Sequence, residues 1–463
     1  MVEMAAKLRT NGIERRGARS TLKALGASAG LSVLFLVVYG WCNWFTSQRS
    51  DVPTLFFEWE RLIPFVPLMI VPYMSIDLFF VAAPFLCRSD RELAMLSKRI
   101  AAAILVAGVC FLLFPLRFAF ERPHAAGWLG AFFDWFRGMD QPYNLLPSLH
   151  IVFRTILAEF YARHSRGLLR QASNVWFVLI GLSAVLTYQH HLMDVVAGFA
   201  LGAYCLYFIR EPVPPLPVIA NRRVGAYYAI GTLIATCLVA VFWPWGAFLI
   251  WPAISLAIAA AAYFGFGPGI FQKRDGRLPW TSRWALGPVL FGLHLSRLYY
   301  RRECNAWDQL TPRIWIGSVP SHGEAVEAAR LGVTAVLDLT AEFSEPAPFR
   351  ALTYRNIPIL DLTAPRLDQL QEMAAFIDRE SKKGVVYIHC KIGYSRTSAA
   401  AAAWLLWTGS VSSVPEAIDR LREVRPTIVV RPEVIAALCE FASKLLSFRA
   451  EQSGVEESRV STV

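Results

Sequence analysis

The sequence predicts a polytopic α-helical membrane region of about eight transmembrane helices followed by a soluble α/β domain. Three observations predict it. Hydrophobic residues make up 55% of the 463 residues, enough for two or three domains. The first two-thirds breaks into charge-bounded apolar runs, mostly near the roughly 20 residues that cross a bilayer. The last third instead alternates short β-branched runs with amphipathic stretches, the pattern of strands and helices wrapped around a largely parallel sheet.

The apolar runs are Leu25 to Phe45, Ile63 to Leu86, Ile100 to Leu116, Ser148 to Tyr161, Val175 to Thr187, Val195 to Ile209, Val224 to Phe242 and Phe248 to Phe264. The first continues past the length of a signal-peptide core without a small-residue cleavage pattern, so it predicts a retained span. Lys and Arg concentrate before the first run (Lys7, Arg9, Arg15, Arg16, Arg19, Lys23) and in alternate connections: Arg88 to Arg99, Arg163 to Arg170, and Arg210 with Arg222 and Arg223. After the last run come Lys273, Arg274, Arg277 and Arg283. By the positive-inside rule the N-terminus and everything after Gly267 are cytoplasmic, in a multi-pass protein of the cell's inner (cytoplasmic) membrane. The net charge of +11 is therefore mainly a topology signal. Basic residues gather at membrane boundaries and no nucleic-acid motif accompanies them, so no nucleic-acid partner is expected.

The expected domains are a basic N-terminus (1–24), six membrane spans (25–209), a Pro-rich connector (210–223), two added spans (224–266), a basic amphipathic linker (267–303), the soluble domain (304–448) and a disordered polar tail (449–463). In the linker, Trp280, Trp284, Leu290, Leu293, Leu298 and Tyr299 alternate with Arg in the manner of an interfacial helix. Strands are expected near Ile314 to Ile316, Thr334 to Leu339, Tyr354 to Ile357 and Val385 to Ile388. Helices are expected near Glu324 to Leu331, Leu367 to Ser381, Thr397 to Trp407, Val414 to Val424 and Glu433 to Leu446.

The stretch His389-Cys390-Lys391-Ile392-Gly393-Tyr394-Ser395-Arg396-Thr397 carries the clearest chemistry. Cys390 follows a strand and feeds a helix N-terminus, where free N–H groups and the dipole favour an anion, either the thiolate or a phosphate. A cysteine so placed titrates below its free value of about 8.5 and is nucleophilic at neutral pH. Arg396 presents a planar fork to two phosphate oxygens, and Gly393 lets the loop curl its N–H groups inward.

This stretch resembles the signature loop of the dual-specificity branch of the protein tyrosine phosphatase superfamily, over about Asn305 to Leu446. The resemblance implies an α/β cysteine-phosphatase domain with Cys390 as nucleophile, Arg396 as phosphate clamp and Thr397 easing departure of the thiolate. His389, Lys391, Ile392, Gly393, Tyr394 and Ser395 complete the phosphate-binding loop. A general acid is implied on a separate loop, for which Asp361 is the match and Asp368 the runner-up.

Polar residues near membrane depth need a reason. Three groups stand out, all on the extracytoplasmic side of the predicted topology: Arg117 with Arg122-Pro123; Asn144 with Pro147-Ser148-Leu149-His150; and Ser183 with Thr187, Gln189, His190, His191 and Asp194. They resemble the three signatures of the type 2 phosphatidic acid phosphatase superfamily. The resemblance implies His190 as nucleophile, Asp194 orienting it, His150 protonating the leaving oxygen, and Arg122 and Ser148 holding phosphate. His191 is the alternative nucleophile. Pro115, Leu149 and Ala184 depart from the signatures, and Arg117 is placed to replace the missing lysine charge. The Pro-Ser-Leu-His form is similar to the branch containing inositol phosphorylceramide synthases, so transfer to an alcohol stands beside hydrolysis. The whole chain resembles bacterial bifunctional fusions of these two families.

The eight cysteines show neither paired nor metal-ligand spacing, so no metal or other cofactor is expected. Tethering at the bilayer and the second cation Lys391 favour a membrane phospholipid phosphate as substrate. Phosphotyrosine protein, acted on by a phosphatase carried on an inactive lipid-binding anchor, is the competing expectation.

Overall fold

The structure, a computed structural model, describes residues 18–139, 141–211 and 218–460. The expected basic N-terminus up to residue 17, connector residues 212–217 and tail residues 461–463 lie outside them. The chain divides into two compact units, Met1–Pro212 and Val213–Val463.

The first unit is helical: α1 Ala18–Ser47, α2 Ile70–Leu86, α3 Asp90–Leu113, α4 Gly127–Met139, α5 Leu149–His164, α6 Gly167–Leu186 and α7 Leu192–Phe208. Local chemistry fixes the starts. Ser89 accepts the Glu92 N–H at 3.2 Å while Glu92 accepts the Arg88 N–H at 2.7 Å, a reciprocal cap on α3. Among the described residues of the whole chain, six helices are long and apolar enough to cross a membrane. Eight were expected. The two that fall short are α5, with 16 residues and internal charges at Arg154 and Glu159, and α7, with 17 residues. At 1.5 Å per residue each spans roughly 25 Å, under the ~30 Å hydrocarbon core.

These short helices pack closely. An added Cβ on Gly198 of α7 would sit 2.5 Å from the Ser148 carbonyl oxygen, and one on Gly202 would sit 2.8 Å from Thr155 Cβ. The Gly-x-x-x-Gly face thus lets α7 approach α5 backbone to backbone. Helix α4 was not expected; its aromatic run buries Phe133 and leaves Trp128 and Trp135 exposed.

The second unit begins with a helical pair, α8 Arg222–Val241 and α9 Ile250–Ala261, continued by irregular turns to Phe271. Linker helices α10 Trp280–Ala285 and α11 Gly287–Tyr300 follow, and α11 leaves Phe291, Leu295, Leu298 and Tyr299 exposed. The α/β domain contains β1 Trp307–Thr311, β2 Ile314–Ser318, α12 His322–Arg330, β3 Val333–Thr340, α13 Ala347–Arg350, β4 Thr353–Ile359, α14 Leu367–Ser381, β5 Val385–Cys390, α15 Ser395–Thr408, α16 Val414–Val424 and α17 Pro432–Val460.

The sheet order is β1-β2-β5-β3-β4. Only β1 is antiparallel. Alternation along the strands divides the core: Ile316, Leu337 and Ile388 face α14 and α15, while Trp315, Val336 and Tyr387 pack against Phe349 and α12. Each such aliphatic side chain, fully buried, contributes about 1.5–3 kcal/mol. Cys390 therefore stands at the carboxyl end of the central strand, where open α/β sheets form their ligand crevice. Helix α17 runs on to Val460, where a disordered tail was expected. That stretch is rich in helix-favouring Glu and contains no proline to stop it.

The linker is built into the domain. Arg274 and Arg277 exchange backbone hydrogen bonds, Glu345 N–H donates to the Gly276 carbonyl at 2.7 Å, and Leu278 N–H donates to Ser344 Oγ at 3.0 Å. This turn drives Lys273 inward, where its ammonium pairs with buried Asp338 and donates to Thr340 Oγ1 at 3.0 Å.

Candidate functional site

Between β5 and α15 the chain curls around a cavity of ≈ 210 Å³ lined by Cys390, Lys391, Ile392, Tyr394, Ser395 and Arg396. Asp361 and Leu362 close one side, and Tyr300, Val429 and Arg431 complete the wall. The curl needs Gly393: its φ is +83° and an added Cβ would lie 2.6 Å from the Gly317 carbonyl oxygen. Gly393 N–H donates to Cys390 Sγ at 3.3 Å. From outside the curl, Arg425 is buried and donates to the Ile392 carbonyl at 2.9 Å. Holding that carbonyl outward fits the inward direction of the next N–H, that of Gly393, toward Cys390 Sγ.

Cys390 is buried, which alone would raise its pKa. Arg396, the Thr397 hydroxyl and backbone N–H groups outweigh burial and hold the thiol below its ordinary range. Arg396 is itself buried, and both its terminal nitrogens are bonded. Its Nη2 donates to Glu342 Oε1 at 2.7 Å and its Nη1 to Glu342 Oε2 at 3.2 Å, with a further bond from Nη1 to the Ile359 carbonyl at 2.8 Å.

Asp361 Oδ2 lies 2.6 Å from Lys391 Nζ and Oδ1 lies 3.2 Å from Arg396 Nη2. Burial opposes ionisation of Asp361, yet Arg396 and Lys391 prevail and hold its carboxyl below the usual range. Lys391 is 9% exposed and so is not a solvent-facing loop residue; it also donates to Ser296 Oγ of α11 at 3.3 Å. Asp368 is elsewhere, paired with Arg366 in the first turn of α14 and absent from the cavity wall.

Below the loop, His389 Nε2 lies 3.1 Å from Glu345 Oε2 and 4.0 Å from Asp338 Oδ1. Burial disfavours the imidazolium, but the two carboxylates overcome it and raise the His389 pKa. Asp338, Glu345 and His389 are close enough to share a metal ion. The Lys273 ammonium already supplies a cation to that cluster.

In the first unit, His150 and His190 come close enough to interact electrostatically. His150 stacks on Tyr73 with ring centroids 4.0 Å apart. His190 Nδ1 lies 3.6 Å from Asp194 Oδ2, beyond hydrogen-bond length. Asp194 Oδ2 instead accepts the His191 N–H at 2.8 Å, so the expected sharing of the His190 ring proton is absent in this arrangement. His191 is 1% exposed; its Nδ1 lies 3.0 Å from Glu60 Oε2 and its Nε2 accepts the Ala119 N–H at 3.1 Å. Both its ring nitrogens are committed, which leaves His190 the freer nucleophile. Ser148 caps α5 through Ile151 N–H at 3.4 Å and donates its own N–H to the Asp194 carbonyl at 3.1 Å, joining the starts of α5 and α7. Arg122 lies over Phe118, its Cζ 5.6 Å from the ring centroid, whereas Arg117 is exposed.

Glu342, Arg425 and Glu60 organise these sites without being predicted. Each lies far in sequence from the motif it serves, in a stretch with no pattern of its own.

Residues 314–444 match the family described as dual specificity phosphatase, catalytic domain, and residues 66–208 match the PAP2 superfamily. The phosphatidylglycerophosphate phosphatase PTPMT2 of Arabidopsis thaliana is 26% identical over 172 residues, covering 36% of this chain and 75% of that protein. The human dual specificity protein phosphatase 26 is 27% identical over 174 residues, covering 34% of this chain and 82% of that protein. Among solved structures, PTPMT1 in complex with PI(5)P is 20% identical with a TM-score of 0.29, covering 31% of this chain and 99% of that one.

Proposed function

We propose that this phosphatase, in which a PAP2-superfamily region precedes a dual specificity phosphatase catalytic domain, removes a phosphomonoester from a membrane phospholipid through Cys390. One observation carries the reading. The loop bearing Asp361 in the Cys390 cavity is hydrogen-bonded to the ends of two membrane-length apolar helices: Tyr263 Oη donates to the Asp361 carbonyl at 2.9 Å and Asn221 Nδ2 to the Leu362 carbonyl at 2.7 Å. A site tied to such a helical pair meets substrates at the bilayer surface. The similarity to a phosphatidylglycerophosphate phosphatase supports the same substrate class.

In the proposed mechanism the Cys390 thiolate attacks phosphorus and the P–O bond to the lipid breaks, with Asp361 giving its proton to the departing alkoxide. Arg396 and the loop N–H groups take up the phosphoryl charge. A bound phosphate competes with Asp361 for Arg396 and Lys391 and places negative charge beside it, which favours the protonated carboxyl needed in this step. Water then attacks the phosphocysteine, the P–S bond breaks, Asp361 accepts the water proton, and phosphate leaves. Thr397 eases departure of the thiolate.

The same reading has eight helices crossing the inner membrane, with both chain ends and the α/β domain cytoplasmic. A second site on the opposite face uses His190 as nucleophile, Asp194 and His150 in proton handling, and Ser148, Arg122 and Arg117 toward phosphate. It hydrolyses a lipid phosphate or transfers a head group. The primary test is release of phosphate from vesicle-embedded phospholipid phosphomonoester by the His190→Ala protein, in which the second site is silenced; adding Cys390→Ser should abolish it.

A further inference from the structure

The catalytic loop and the apolar helical pair meet at two consecutive carbonyls. Asp361 carries the carboxylate that faces Lys391 and Arg396, while its carbonyl oxygen accepts from Tyr263 Oη. The next carbonyl, on Leu362, accepts from Asn221 Nδ2. Between them Leu362 has φ +61°, a left-handed conformation that a leucine adopts only when its surroundings impose it. This turn sends the Asp361 side chain into the cavity and both carbonyls toward the helices.

The two donors are themselves linked. Asn221 N–H donates to the Tyr263 carbonyl at 3.1 Å, joining the start of α8 to the end of the α9 segment. Asn221 Oδ1 caps α8 by accepting the Val224 N–H at 3.2 Å. The Tyr263 ring is 7% exposed and stacks on Tyr228, centroids 5.6 Å apart at 14°. Each donor is therefore held in place before it reaches the loop.

We infer that Asn221 and Tyr263 are positioning residues for Asp361, so that the apolar helical pair forms part of the catalytic unit as well as a tether. The inference rests on the reading of Asp361 as general acid. Thr363 closes the turn from within, its N–H and hydroxyl donating to the Leu360 carbonyl at 3.3 and 2.9 Å, while the two helix donors fix its outward carbonyls; without them the turn is free to shift and Asp361 loses its fixed aim. The chemistry affected is proton delivery to the leaving oxygen. An alkoxide leaving group needs that proton, whereas a 4-nitrophenolate departs readily without it.

The test uses the full-length protein in vesicles with two substrates, an alkyl phosphomonoester lipid and 4-nitrophenyl phosphate. The double variant Tyr263→Phe with Asn221→Ser keeps the ring stack and a capping hydroxyl for α8, while removing both donors to the loop. Misplacing a reacting group by about 1 Å costs up to roughly a hundredfold. The expected result is a fall in kcat of about ten- to a hundredfold on the lipid and under about threefold on the aryl phosphate. The limb of the lipid pH profile set by Asp361 should shift as well. Equal losses on both substrates, or no loss on either, overturn the inference. Asp361→Asn run in parallel separates the two levels. If Asp361→Asn lacks leaving-group dependence, the general-acid reading fails and takes the inference with it. If only Asp361→Asn shows that dependence, the positioning role alone fails.

Discussion

Glu342 grips both terminal nitrogens of Arg396, at 2.7 and 3.2 Å, and both side chains are 2% exposed. The guanidinium is thus oriented before any phosphate arrives, a case of electrostatic preorganisation. Replacing Glu342 by Gln keeps the shape and removes the charge. A hydrogen bond to a charged group is worth about 1.5–3 kcal/mol, so kcat/KM for phosphomonoester hydrolysis should fall roughly ten- to a hundredfold. Steady-state kinetics on the purified variant, with circular dichroism to show that it is folded, check this.

The Cys390 thiol is held below its ordinary pKa chiefly by Arg396 and the Thr397 hydroxyl, against the opposing effect of burial. A lowered pKa means more thiolate at a given pH. Inactivation by iodoacetamide should therefore proceed with a midpoint below the free-thiol value of about 8.5. Thr397→Ala should move that midpoint upward. The rate of inactivation measured from pH 5 to 9 reads both; a wild-type midpoint at or above the free-thiol value would contradict the assignment.

Lys273 is a lysine buried in the catalytic domain because its ammonium answers Asp338. Lys273→Met takes the nearest cation from buried Asp338, leaving it the Tyr354 and Thr340 donors and the more distant His389, and should cost up to about 3–5 kcal/mol of stability, with Lys273→Met plus Asp338→Asn recovering part of it. The cluster also fixes the sign of the pH dependence. The Asp338 pKa is depressed, so its contribution is present above the unfolded carboxylate value and fades as pH falls through the folded one. The His389 pKa is raised, so its contribution is full below the unfolded imidazole value and is lost as pH rises through the folded one. Thermal unfolding of the detergent-solubilised protein should accordingly show Tm declining on the alkaline side of neutrality, and less steeply in His389→Asn.

In the first unit, His190→Ala and His150→Ala should abolish any lipid phosphatase or head-group transfer activity that survives Cys390→Ser. Tyr73→Leu, which removes the ring stacked on His150, should weaken the same activity by a smaller factor. Product analysis by mass on each variant distinguishes hydrolysis from transfer. Unchanged lipid products in both histidine variants would make this unit an anchor alone.

What the sequence revealed depended on how local the cause was. The Cys390 loop was legible because strand, glycine, arginine and helix start are consecutive. The ends of α14 and α16 were legible from hydrophobic period. Strand β1 was missed because Trp307 to Thr311 alternates weakly and is fixed by pairing with β2. Helix α4 was missed because its 13 residues are too few to cross a bilayer, so no apolar run of spanning length marked it. Glu342, Arg425, Glu60 and Tyr263 were invisible because each acts across a long sequence separation, through a contact that only the folded chain creates. Lys273 read as a topology charge, since nothing local says that its turn points inward.

The most direct test of the account is a competition in vesicles containing the full-length protein, between a phospholipid phosphomonoester in the bilayer and a soluble phosphotyrosyl peptide, followed by phosphate release and by mass. The account predicts that the lipid is the preferred substrate, by kcat/KM, and that in a His190→Ala background Cys390→Ser ends its hydrolysis. Preferred hydrolysis of the peptide, with the lipid untouched or still hydrolysed by Cys390→Ser in that background, would contradict it.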